Sequence, residues 1–133
     1  MSKTILIVDD HEIVRHFIRS VIQISRPEWE VCGEASNGKE AFEAIKTLRP
    51  DVVILDLIMP VMGGLEVASR IHNLSVKPRI LVFTLHESNE LQEEVRKAGA
   101  HGFVTKSRAG RDLIRAIDTV ESGGTFFASQ AKH

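Results

Sequence analysis

Ile5-Leu6-Ile7-Val8-Asp9-Asp10 is a run of four apolar residues ended by two acids. The run is short for a helix and has no polar alternation. It therefore predicts a strand buried on both faces, as in a parallel sheet covered by helices. Two further stretches repeat the pattern. Val52-Val53-Ile54-Leu55 is followed by Asp56, and Ile80-Leu81-Val82-Phe83 by Thr84. Glu30–Glu34 and His101–Thr105 are weaker strand candidates.

The segments between these runs have helical period. Ile13, Val14, Phe17, Ile18, Val21 and Ile22 recur at spacings of three and four, as do Ala41, Phe42, Ala44, Ile45 and Leu48 before Pro50. Leu65, Val67, Ala68 and Ile71 predict a third helix. Leu91, Val95 and Ala98 predict a fourth, stopped by Gly99, and Leu113, Ile114, Ile117 and Val120 a fifth, ended by Gly123-Gly124. Strand and helix alternate five times, which predicts an α/β layered fold with right-handed crossovers.

The chain of 133 residues suits one domain, with 43% hydrophobic and 26% charged side chains. A net charge of −1 gives it no general attraction for nucleic acid or an anionic membrane, so direct nucleic-acid binding is not expected. Cys32 is the single cysteine, which excludes an internal disulfide and reads as packing. Neither a signal peptide nor a spanning segment is legible, so the expected compartment is the cytoplasm.

The acids fall in a telling place. Asp9 and Asp10 end the first strand and Asp56 ends the third. In a doubly wound, flavodoxin-like sheet of order 2-1-3-4-5, these strands are neighbours at the switch point where open α/β sheets bind ligands. Three carboxylates converging there repel one another unless a cation joins them, and an all-oxygen donor set favours a hard ion, magnesium above all. A single strand-end aspartate would more simply cap a helix, as Asp10 would for one starting near Glu12. The whole set argues otherwise, because Thr84 and Lys106 end the fourth and fifth strands and reach the same edge. A hydroxyl and an ammonium beside an acid cluster suit phosphoryl transfer, with Asp56 as nucleophile. No glycine-rich phosphate loop is present, so the donor is expected to be a protein or a small molecule rather than a bound nucleotide.

Taken in order, Ile5–Asp10 (ILIVDD), Asp51–Pro60 with Gly63-Gly64 (DVVILDLIMPVMGG), Ile80–Thr84 (ILVFT) and Ala98–Lys106 (AGAHGFVTK) resemble the response-regulator receiver domains of two-component signalling. The resemblance spans about residues 3–122. It implies that Asp56 is the phospho-acceptor, Asp10 a direct magnesium ligand and Asp9 a ligand mainly through water. Ile58 would lend its backbone carbonyl to the metal. Thr84 and Phe103 match the switch pair, and Lys106 the lysine that bridges to the phosphoryl group. The donor it implies is a histidine kinase or phosphotransfer protein.

The stretch Val8–Arg15 and the late Gly123–Phe127 look most like receivers of LuxR/FixJ-type transcription regulators. Residues 1–122 are thus expected to form the receiver, and 123–133 a tail or the start of a linker. The alternative is a stand-alone receiver that relays phosphate or docks on a protein. A phosphatase using an aspartate nucleophile is a poorer match, since that class wants an acid at the position of Ile58. Ser107 stands where many receivers carry proline, so a trans Lys106–Ser107 bond is expected.

Other residues carry less. Ile58 and His86 are expected to flank the path of a hydrolytic water and to modulate the phosphoryl lifetime. His11, His16, His72 and His101 show no metal-ligand spacing and read as surface or packing residues, and His133 as tail. Met59-Pro60 and Gly63-Gly64 predict a tight loop. Arg96, Lys97, Arg111, Asp112 and Arg115 are expected as exposed charges on the face made by the fourth helix, fifth strand and fifth helix. Homodimerisation through that face on phosphorylation is a further expectation.

Overall fold

In the computed structural model, residues 3–86 and 88–127 are described. The strands are β1 (Thr4–Val8), β2 (Glu30–Ala35), β3 (Val52–Leu55), β4 (Arg79–Thr84), β5 (Gly102–Thr105) and β6 (Phe126–Phe127). The helices are α1 (Glu12–Ser25), α2 (Gly38–Leu48), α3 (Gly64–Ile71), α4 (Asn89–Lys97) and α5 (Ala109–Glu121). All strand pairs are parallel, in the order β2-β1-β3-β4-β5-β6.

Why the apolar runs carry no polar alternation is now plain. Along β1, Ile5 and Ile7 pack against the layer of α1 and α5, while Leu6 and Val8 join the cluster of α2, α3 and α4. Every residue of β3 is buried. Each such side chain contributes ~1.5–3 kcal/mol by leaving water, so both faces must be apolar.

The five expected strands and five helices are all present, in the expected order. The sixth strand is an addition, and it lies inside the stretch expected to be a tail or linker. Gly123, at φ +104°, reverses the chain in the left-handed region after α5. Arg79 then fixes the return by donating to Val120 O at 2.9 Å and Gly124 O at 2.7 Å. A two-residue strand has no periodicity of its own, so the sequence carried no sign of it. The rest of the expected tail, residues 128–133 with His133, lies outside the described residues.

Asp112 is not an exposed charge: it is 4% exposed on the first turn of α5, where Arg108 and Arg115 donate to its two oxygens at 3.0 and 3.1 Å. Helical spacing puts both arginines beside it, at i−4 and i+3. Lys106–Ser107 is trans, with no cis peptide bond among the described residues. Cys32 is half-buried with Sγ 3.6 Å from Ile5 O, and burial pushes its thiol pKa up, as fits packing rather than nucleophilic chemistry.

Candidate functional site

Strand register brings the acids together. Val8 is level with Leu55, so the next residues, Asp9 and Asp56, leave the sheet side by side. Their backbones continue the ladder: Asp9 N–H donates to Ala35 O at 3.1 Å and Asp56 N–H to Val8 O at 3.0 Å. Asp9 is 1% and Asp56 5% exposed, whereas Asp10 is open to solvent. Asp10 does not cap α1. His11 occupies the cap position, and no side chain closes it.

The fourth and fifth strands supply the other two groups. Thr84 is level with Thr105, and Lys106 follows directly. Thr84 is fully buried, with its hydroxyl accepting from His86 N–H at 3.4 Å. Lys106 Nζ lies 2.8 Å from Asp9 Oδ2 and 3.3 Å from Asp56 Oδ2. Phe103 is level with Val82, so it stands diagonal to Thr84 on the same face of the sheet, and its ring is buried.

The electrostatics follow from burial. Desolvation pushes the Asp56 carboxyl pKa up; the Lys106 charge pulls it back, and Asp9 adds to the rise. Asp56 Oδ1 also accepts Leu57 N–H at 2.7 Å, which favours the ionised form. For Lys106, burial opposes the charge, but the bond to Asp9 and the field of Asp56 prevail and raise its pKa. The lysine is therefore held as an ammonium at the centre of the acids.

The donor atoms fit a divalent cation. Ligand atoms of Asp9, Asp10, His11 and Asp56 lie within 4.8 Å of one another. Oδ2 of Asp9 is buried and faces the Lys106 ammonium at 2.8 Å. Carboxylates in this number favour a hard ion.

His11 had been expected at the surface or in packing. It is 63% exposed, yet its Nδ1 stands 3.1 Å from Asp9 Oδ1 and 3.2 Å from Asp10 Oδ1, and its N–H donates to Asp9 Oδ1 at 2.9 Å. Only its place directly after the two acids hinted at this. Arg15 likewise went unassigned: it donates to Asp9 O at 2.7 Å while held by Glu34 at 2.8 Å.

The loop after β3 is as tight as the sequence implied, but by other means. Val61, not a glycine, takes the left-handed conformation at φ +70°, which a β-branched residue adopts only under strain. Gly63 has ordinary φ of −77°. Gly64 is needed for close approach, since a Cβ there would lie 2.2 Å from Asp56 O. Ile58 is 64% exposed and shares with His86 a groove of about 370 Å³, lined also by Leu57, Leu65, Ser88 and Leu91. The two residues expected to flank one water path do border one space.

Residues 5–118 match the family model described as the response regulator receiver domain. The chain is 38% identical to the response regulator UvrY of Escherichia coli over 94% of its own length and 57% of that protein. It is 37% identical to the nitrate/nitrite response regulator protein NarL of Escherichia coli, over 90% of this chain and 55% of that one. It thus spans about half the length of the curated relatives it matches. A solved LuxR-family response regulator from Aurantimonas is 36% identical and superposes with a TM-score of 0.89, over 95% of this chain and 89% of that one. Sheet order, the converging acids and these likenesses agree that the chain belongs to the response-regulator receiver family, close to its LuxR-type members.

Proposed function

We propose that this receiver takes a phosphoryl group on Asp56 from the phosphohistidine of a histidine kinase or phosphotransfer protein, in the cytoplasm. The observation that carries the proposal is the Lys106 ammonium lodged between Asp9 Oδ2 and Asp56 Oδ2. A cation there lets Asp56 stay ionised, as a nucleophile must, despite burial that works against its charge. The carboxylate of Asp56 forms a bond to phosphorus as the phosphorus–nitrogen bond of the donor breaks and the imidazole leaves. Lys106 and the Thr84 hydroxyl receive the phosphoryl oxygens, offering charge and a hydrogen bond in a largely desolvated pocket.

Asp10, Asp56 and the carbonyl of Ile58 would hold Mg²⁺ directly, and Asp9 mainly through water. When bound, the ion neutralises charge on the transferred group and on the crowded carboxylates. Ile58 and His86 govern water access through their shared groove and so set the lifetime of the aspartyl phosphate. Transfer from a small donor and self-catalysed hydrolysis are parts of the same reading.

Output passes through Thr84 and Phe103 to the face of α4, β5 and α5, which pairs with a second copy on phosphorylation. Residues 1–122 act as the input domain of a LuxR/FixJ-type transcription regulator, with 123–133, β6 included, opening the linker. The likeness to UvrY and NarL, of which the matches cover only 57% and 55%, favours this over a stand-alone relay.

Beryllofluoride with Mg²⁺ tests the site. It should shift the amide resonances of Leu57, Thr84 and Lys106, and leave them unmoved when Mg²⁺ is omitted. Unmoved resonances under both conditions would count against the assignment. Sedimentation with and without beryllofluoride tests the dimer, which an unchanged monomer would exclude.

A further inference from the structure

In a five-stranded sheet β5 is an edge, and a ring on it can swing outward over open solvent. Here β6 takes that edge. Gly102 is level with Phe126 and Phe103 with Phe127, and Phe126 N–H donates to His101 O at 3.0 Å. Level residues on parallel neighbours point to the same face about 4.8 Å apart. Phe103 and Phe127 accordingly share one core cluster and are 1% and 6% exposed.

Phe127 is itself clamped. The Arg96 guanidinium of α4 lies 4.1 Å above its ring centroid, while Arg115 of α5 lies 5.5 Å from the Phe126 ring. The backbone beneath is tight, because a Cβ on Gly102 would come within 3.3 Å of Phe126 O. From the other end, the bonds of Arg79 fix the approach of the chain into β6.

We propose that Phe127 is a positioning residue: it fills the column outside β5 and holds the Phe103 ring inward, beneath Thr84, before any phosphoryl group arrives. The proposal rests on the switch role of Thr84 and Phe103. It makes docking of β6 and the inward ring one event. Phosphorylation, by drawing Thr84 and Phe103 together, strengthens β6 docking, and release of β6 frees the ring. The segment leaving the domain after α5 thereby reads the state of Asp56.

Fluorine NMR on the full chain, with para-fluorophenylalanine at position 103, tests this. The unsubstituted neighbour should give one resonance insensitive to exchange of H₂O for D₂O, little changed by beryllofluoride with Mg²⁺. Phe127→Ala should add a second, solvent-sensitive resonance that collapses back when beryllofluoride is added, and Phe127→Leu should restore the single one. A folded Phe127→Ala with only the buried resonance would overturn the proposal. If Phe127→Ala does not fold, Arg96→Gln loosens the clamp instead and should raise the solvent-sensitive population; no such population there would equally overturn it. Amides at Leu57 and Lys106 that ignore beryllofluoride would instead strike at the assignment of Asp56, whatever the ring does.

Discussion

Lys106 Nζ lies 3.3 Å from Asp56 Oδ2, across the ends of two strands separated by β4. The contact joins a carboxyl whose pKa burial raises to an ammonium whose pKa its acidic neighbours raise. Replacing Lys106 with Met removes the charge and keeps the length. The initial rate of Asp56 labelling by acetyl phosphate should fall about a hundredfold, the scale seen when one preorganised donor is lost. Quenched-flow labelling checks this, and a rate within twofold of the parent would show that the lysine takes no part.

Asp56→Asn should stabilise the protein at neutral pH. The folded carboxyl has a raised pKa, so the folded state holds its proton more tightly than the unfolded one. Stability is then lost as pH rises through the folded pKa, and the loss is complete above it. Asparagine cannot ionise and escapes that penalty, a gain on the order of 1 kcal/mol, the ordinary scale of a substitution. Urea melts at several pH values should show the gap closing towards acid. Mg²⁺ should stabilise the parent more than the variant, by binding the folded state alone.

Gly64→Ala should damage both stability and labelling. The new Cβ would meet Asp56 O at 2.2 Å and Leu57 Cα at 2.9 Å, so the backbone of Asp56 itself must shift. Overpacking of this kind costs about 1–3 kcal/mol. Gly110→Ala is the control, since nothing lies within 4 Å of its Cβ position. Thermal melts and labelling rates of the two variants should diverge sharply.

His101 should make stability fall on mild acidification. Its Nδ1 accepts Ile80 N–H at 3.0 Å, and its backbone N–H donates to Ile80 O at 2.8 Å, so one histidine stitches β4 to β5. Burial and then the Arg79 charge hold its pKa below the ordinary histidine value. The unfolded state therefore takes up the proton first. Stability is full above about pH 6.5 and is lost as pH drops through the lowered folded pKa. His101→Asn keeps an acceptor near the Ile80 amide without a titrating ring. Its stability should vary less between pH 7 and 5 than the parent's, by about 1 kcal/mol; equal slopes would contradict the role.

The apolar runs ending in Asp9, Asp56 and Thr84 were readable because a strand buried on both faces needs four or more apolar residues in succession. The helices were readable because each buries one periodic stripe. From strand ends alone, most of the site followed, since a parallel sheet collects its carboxyl ends on one edge. What escaped the sequence depends on short-range geometry. Phe126-Phe127 is too brief to carry a period, and its pairing depends on Gly123 and Arg79. Asp112 looked like any helical charge, because its burial arises from the packing of α5. Strain at Val61 replaced the glycine turn that composition suggested, and His11 joined the acids through a local backbone bond to Asp9.

The most direct test of Asp56 as acceptor is the intact mass of the protein after acetyl phosphate, with and without Mg²⁺, beside Asp56→Asn. One phosphoryl adduct is expected, dependent on Mg²⁺ and absent from the variant. An adduct that persists in Asp56→Asn, or that forms equally well without Mg²⁺, would contradict the account.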